Sequence, residues 1–306
     1  MRAASPPAVR ATLSAARARR LKAVLDPFLD SFDRTARIGF DPVEAPRRYA
    51  DPADQEVAGL LASGLAYGRA DLFRPKLFGV LGVMGDSPAA FVRGFEPARD
   101  GRLLEPFAYR FHLPSDLGAL VAGMGAAIRR HGSLGAALAF QLERHDRALR
   151  PALSAFSRAL REEGRAIAAP YLGAPRALDH LLPDPAKGGA CKRLLLYLRW
   201  MVREDEVDLG TWKGLIAPSL LVNPVDTHVM RIARLLGLTR RRDLSWRTAE
   251  EITAALRLLD PDDPVRYDFA LCHLGMSGAC PTRRRKDLCL ACPLRSECVA
   301  GRRVTA

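Results

Sequence analysis

Lysine is scarce in this chain: among 306 residues it stands only at positions 22, 76, 187, 192, 213 and 286, within a Lys plus Arg total of 47. A preference for arginine can simply record a GC-rich genome, but the excess of base over acid is a separate fact. Against 34 acidic residues it leaves a net charge of +13 and a pI near 10.0, a field that attracts phosphate backbones. No apolar run approaches the roughly 20 residues a membrane-spanning helix needs, so no membrane partner is expected. Two-residue alternation of any length is also missing, which argues against sheet; apolar residues recur instead at three and four spacing, and the expected fold class is all-α. Nothing reads as a secretory signal. The six cysteines are therefore read as reduced thiols of a cytoplasmic protein rather than as a disulfide framework.

The first 25 residues are rich in Ala and Arg and poor in acid. That composition fits either an organellar transit peptide or an amphipathic helix over 11–29; no cleavage signal follows, and the helix is the expectation. Asp51 before Pro52 marks a helix start. Further helices are expected over 74–83, 117–131, 134–143, 147–162 and 190–203, with a Pro- and Gly-containing connector over 169–189. Asp226 opens another helix, stopped by Gly237. Thr248 with Glu251 reads as a capping box for a helix running through Leu259, and 264–274 is the last long helix.

Beyond it stand Cys280, Cys289, Cys292 and Cys298 in a C-x8-C-x2-C-x5-C run. Four thiols so close describe a metal centre. Structural zinc usually draws two tight pairs, whereas here only Cys289 and Cys292 form one; compact four-cysteine runs also hold 4Fe-4S clusters. Spacing alone leaves both open. Arginine runs at 240–242 and 283–286 concentrate the basic charge, either as solvated faces or as phosphate contacts.

The order Pro224-Val-Asp226-Thr-His-Val, then Arg231, then Leu235-Leu-Gly-Leu238, then His273-Leu-Gly275 and the four cysteines resembles the helix-hairpin-helix GPD DNA glycosylases of the endonuclease III type, over residues 190–298. The resemblance implies an all-α, two-lobed architecture with a C-terminal iron-sulfur cluster loop. In it, segment 1–50 packs with the C-terminal lobe 226–306, and 51–225 forms the helical GPD-like lobe, with DNA in the cleft between lobes. It implies a 4Fe-4S cluster on Cys280, Cys289, Cys292 and Cys298, with zinc as the alternative. It also implies a monomeric, nucleoid-associated base-excision glycosylase acting on double-stranded DNA with a damaged or mismatched base. The first cysteine gap is eight residues here against six in that family, and the longer loop carries Arg284 and Arg285 toward DNA. The whole chain, including 49–68 and 198–212, also resembles an uncharacterised bacterial family of conserved hypothetical proteins, which brings no activity with it.

An Asp opening a helix is a common N-cap. In the glycosylases the aspartate matching Asp226 also stabilises the cationic sugar formed as the glycosidic bond breaks, as a fixed carboxylate does for an oxocarbenium-like transition state. Their glycine-rich hairpin and its lysine are missing; Asp208 stands at that distance. Lys192 is the replacement, in a segment similar to the lysine helix of archaeal 8-oxoguanine glycosylases. At the first turn of an apolar helix, beside Arg193, its ammonium faces the positive end of the helix dipole and desolvation, both of which favour the nucleophilic amine needed for an AP lyase. A surface lysine snorkelling from a helix end fits the same pattern; Lys187 and Lys213 are the next candidates. Gly188 and Gly189 before the helix are candidate donors of backbone N–H groups to a phosphate, or an ordinary loop. Arg240, Arg241 and Arg242 are candidate DNA contacts. Tyr67, Trp200 and Trp212 are candidate stacking partners for an extruded base, with Trp200 also reading as core. Cys191 and Cys272 read as small buried hydrophobes. From a different class, a non-catalytic iron-sulfur nucleic-acid-binding protein fits the same residues, whereas nothing specific argues for a redox sensor built on the cluster.

Overall fold

The computed structural model describes residue 9 and residues 11–304; the start of the alanine- and arginine-rich stretch lies outside the described residues. Among these there is no strand, only isolated bridges pairing Tyr109 with His112 and Glu204 with Leu209, and no helix is long and apolar enough to cross a membrane. The protein is all-α. Contacts divide the chain into one unit formed by Met1–Arg34 with Pro218–Ala306 and a second formed by Thr35–Ala217.

The chain begins in the first unit with α1, Ala15–Ser31, whose Ser14 cap accepts the Arg17 N–H. Ala18, Leu21, Leu25, Phe28 and Leu29 are its buried stripe. The helix starts and ends a few residues later than the 11–29 expectation, because the Ser14 side chain sets the start.

The second unit follows with α2 (Thr35–Ile38), α3 (Pro52–Leu65), α4 (Ala70–Met84), α5 (Pro88–Gly94), α6 (Pro97–Asp100), α7 (Pro114–His131), α8 (Leu134–Arg144), α9 (Leu149–Leu172), α10 (Leu178–Leu181) and α11 (Lys192–Val202). Asp51 caps α3 through the Ala53 N–H, with Pro52 at the first helical position, as the sequence indicates. The buried α3 lies against α11, and α7 lies along α9. Those last two backbones nearly touch: a Cβ on Gly164 would meet the Ala119 carbonyl at 2.0 Å, and one on Gly123 would meet the Leu160 carbonyl at 2.2 Å. Helix α9 runs ten residues past its expected end and carries Pro170 in its last turn. Leu172 explains the extension. Its side chain lies over Gly101 and Gly118, and that packing outweighs the local cost of the proline.

At the end of α11 the chain folds back through a buried ion cluster. Asp208 lies fully enclosed, 3.1 Å from Arg199 Nε and paired with Arg203. Asp208 thus ties the 203–213 loop to α11.

Back in the first unit come α12 (Thr227–Leu236), α13 (Trp246–Arg257), α14 (Asp268–Met276) and α15 (Lys286–Ala291). Gly237 closes α12 in the left-handed conformation, φ 78°. Helix α1 is stitched to this end: Thr12 Oγ1 donates to the Gly237 and Leu238 carbonyls at 3.0 and 2.9 Å, and Arg17 donates to the Leu236 and Glu297 carbonyls. Two sequence expectations shift here. The cap of α13 is Ser245, which accepts the Thr248 N–H. Thr248 instead meets Arg241 through its hydroxyl, and Glu251 accepts from Thr239 Oγ1 and the Arg240 N–H. Likewise α14 begins only at Asp268, since residues before it close turns around Pro264.

Candidate functional site

Asp226 sits at the N-cap of α12, half-buried, and its Oδ1 accepts the His228 and Val229 N–H groups, both at 2.9 Å. Its other oxygen, Oδ2, is 3.9 Å from Cys272 Sγ on α14. Helix α14 comes this close because Gly275 has no side chain: a Cβ there would stand 2.9 Å from His228 Cβ. Cys272 is half-exposed rather than buried and touches Asp226 and Met276, which corrects its reading as a filler of the core; Cys191 is buried.

From Asp226, one side of α12 lines a cavity of about 780 Å³, to which Arg231, Arg234, Arg240, Arg242, His228 and Thr282 contribute. No acidic side chain is among its lining residues. Arg231 joins the cavity to the cysteine segment, donating to Thr282 Oγ1 at 3.0 Å and to the Gly275 carbonyl at 3.2 Å. The 240–242 run splits. Arg240 and Arg242 line the cavity, whereas Arg241 turns to Thr248 and Asp243. Arg231 and Arg234 replace it, and their helical spacing of three on an otherwise apolar helix was the signal available in the sequence.

Cys280 follows α14, Cys289 lies in α15, Cys292 ends α15, and Cys298 closes the turn after it. All four thiols are half-buried and unpaired by disulfides. Burial pushes the Cys280 thiol above its ordinary value, and Cys292, Cys298 and Cys289 push the same way against the opposing charge of Arg231. Burial also raises Cys292, with Cys298 and Cys289 adding to it. By their chemistry, four cysteine sulfurs are a donor set of the kind that a thiolate-held centre uses. The Gly301 N–H, 3.3 Å from Cys298 Sγ, adds a hydrogen bond to sulfur. Among the described residues no group of three or more His, Cys, Asp or Glu side chains is gathered closely enough to hold a metal ion. The segment is anchored by the Val299 N–H on the Leu235 carbonyl, 2.8 Å. Arg284 is exposed beside it, and Arg285 pairs with Asp287.

Lys192 belongs to the other unit, half-buried at the first position of α11. Its predecessor Cys191 is held in the left-handed region at φ 47°, uncommon for a residue with a side chain and worth a functional explanation. Gly188 takes φ 84° at the end of the preceding 3-10 turn, and Gly189 has open space around its Cα. Lys187 is paired with Asp179 at 2.9 Å, and Lys213 is paired with Glu204. Burial lowers the neighbouring Arg193 to about 10. Of the aromatic candidates, Trp200 and Trp212 are buried, Trp212 donating to Glu56 and lying on Gly135; neither ring can meet an extruded base. Tyr67 is half-exposed in a cluster with Tyr109, Phe111, His112 and His180.

Fold and residues together define an all-helical protein with a basic cavity beside a capped carboxylate and a four-thiol segment. The chain belongs to the DUF2400 family, described as proteins of unknown function, which it matches over residues 41–277. Asp226 and Lys192 fall inside that match, and the four cysteines lie beyond it. No curated protein and no solved structure matches the chain.

Proposed function

We propose that this protein is a DNA base-excision glycosylase of the two-lobed helix-hairpin-helix GPD type, acting as a monomer in the nucleoid on double-stranded DNA that holds a damaged or mismatched base. The observation that carries the reading is the acid-free cavity lined by Arg231, Arg234, Arg240 and Arg242 on the helix that Asp226 caps. Arginines converging without carboxylates suit phosphate oxygens. Asp226 commits Oδ1 to the helix end, and a carboxylate fixed in this way is the kind of group that stabilises a cationic sugar opposite it. Cys280, Cys289, Cys292 and Cys298 would hold a 4Fe-4S cluster, whose contribution is to fix the segment that Arg231 joins to the cavity.

In the bifunctional form of the reaction, the amine of Lys192 adds to the sugar C1′ while the C1′–N bond breaks and its electron pair leaves with the base, which takes up a proton. Ring opening and loss of the amine protons then give an imine. Borohydride tests this step. It should trap a protein–DNA adduct on an abasic duplex, and Lys192→Ala should abolish trapping while DNA binding persists. Trapping that survives Lys192→Ala would place the nucleophile elsewhere. The glycine-rich hairpin missing from the sequence favours one other outcome, a non-catalytic iron-sulfur protein that binds DNA through the same cavity; it would bind duplexes, release no base and form no adduct.

A further inference from the structure

The Arg110-Phe111 pair forms a two-residue tip, closed by the Tyr109 N–H on the His112 carbonyl at 3.2 Å and the His112 N–H on the Tyr109 carbonyl at 2.9 Å. Arg110 is held at φ 56°. Turns of this kind ordinarily place Gly, Asn or Asp at such a position, because an L side chain is strained there. The tip stays in place because Gly68 makes room beneath it: a Cβ on Gly68 would stand 2.9 Å from both Arg110 Nη1 and Tyr109 Oη. What it presents is the ring of Phe111, 52% exposed.

That ring is not loose. Its centroid is 4.6 Å from His112, 4.9 Å from His180 in an edge arrangement, and 6.0 Å from Tyr67. Tyr67 is in turn fixed by its hydroxyl, 2.5 Å from His112 Nδ1. Arg193 lies over the Tyr67 ring at 5.2 Å and donates to the Gly64 carbonyl at 2.5 Å and to that of His180. Burial, then Arg193, hold His180 down to about 4, so its ring is neutral at physiological pH. Among the described residues its Nδ1 is buried without a hydrogen-bond partner. Exposed Arg110 stands over Tyr67 at 5.7 Å. A supported aromatic face and an adjacent guanidinium on a basic protein match the face and phosphate of one nucleotide.

We infer that Phe111, His180 and Tyr67 form a stacking site for a single unpaired nucleobase of a DNA strand, with Arg110 on the adjoining phosphate. The site lies wholly within the second unit and does not depend on glycosylase chemistry. Binding of a single-stranded oligonucleotide, of the fully paired duplex and of deoxyadenosine monophosphate to the full chain tests it by fluorescence anisotropy and competition. Phe111→Ala should weaken the single strand about 5- to 150-fold, the range of one base–aromatic stack, and leave the paired duplex and the salt slope unchanged. Phe111→Trp should restore binding. Since the ring is half outside the protein, a thermal melt should show Phe111→Ala folded as the parent is. Equal single-strand affinity for parent and Phe111→Ala would overturn the inference, as would a loss confined to the free mononucleotide. Parent protein that ignores paired duplex but binds single strands through Phe111 would defeat the glycosylase reading and leave this site standing.

Discussion

Cys272 Sγ lies 3.9 Å from Oδ2 of Asp226, the oxygen that the helix cap does not use. A thiol is a weak donor, so this contact adds little to the hold that the two backbone N–H groups have on the carboxylate. Structural and chemical roles can thus be separated by substitution. Asp226→Asn keeps a good cap and should leave stability nearly unchanged while slowing base release roughly a hundredfold or more. Asp226→Ala should lose the activity and about 1 kcal/mol besides. Thermal melts beside single-turnover assays read both; an Asn variant as active as the parent would restrict Asp226 to capping.

Purified protein should be brown, absorbing at about 400 nm, with about four irons per chain bound to Cys280, Cys289, Cys292 and Cys298. Cys289→Ser should lose iron and soluble yield together, because metal binding and local folding are coupled. Colourless protein with a single zinc would replace the cluster.

Arg234, Arg240 and Arg242 line the cavity together. Replacing all three by Gln should reduce the slope of log affinity against log salt by up to about three, roughly one per phosphate contact. Arg241, committed to Thr248 and Asp243, should instead affect stability when replaced and leave the slope alone. Equal slopes for the triple variant and the parent would remove the cavity from the DNA interface.

Burial, assisted by Arg193, lowers His180 to about 4 and also lowers His112, where Asp116 opposes it. Arg110, Arg193, Tyr67 and Tyr109 are the other polar groups around these rings. An unfolded histidine takes its proton near pH 6.5, before either buried ring does. The unfolded chain therefore binds more protons below that point. The stability that depends on neutral rings is full above pH 6.5 and declines as pH falls toward about 4. Denaturant midpoints across this window should drop in the parent and drop less in His180→Phe; a parent midpoint that rises on acidification contradicts the assignment.

Much of the helical pattern was legible because caps and apolar spacing act locally: Asp51 with Pro52, Asp226 and Gly237 all mark ends that the structure keeps. The misplaced limits have tertiary causes. Leu172 carries α9 past Pro170, and Thr248 is drawn to Arg241 while Ser245 takes the cap. The candidate site residues followed the same division. Asp226 and the cysteines announce themselves by spacing. Arg231 and Arg234 reach the cavity only through helix periodicity, and Phe111 and His180 meet only when α10 and the 109–112 tip are folded together.

Release of a base from duplex DNA tests the central claim most directly. Parent protein incubated with a panel of duplexes, each holding one damaged or mismatched base, should liberate a free base from at least one, while Asp226→Asn binds that duplex equally well and releases far less. Duplex binding by the parent with no base liberated from any member of the panel would contradict the glycosylase account and leave a DNA-binding protein in its place.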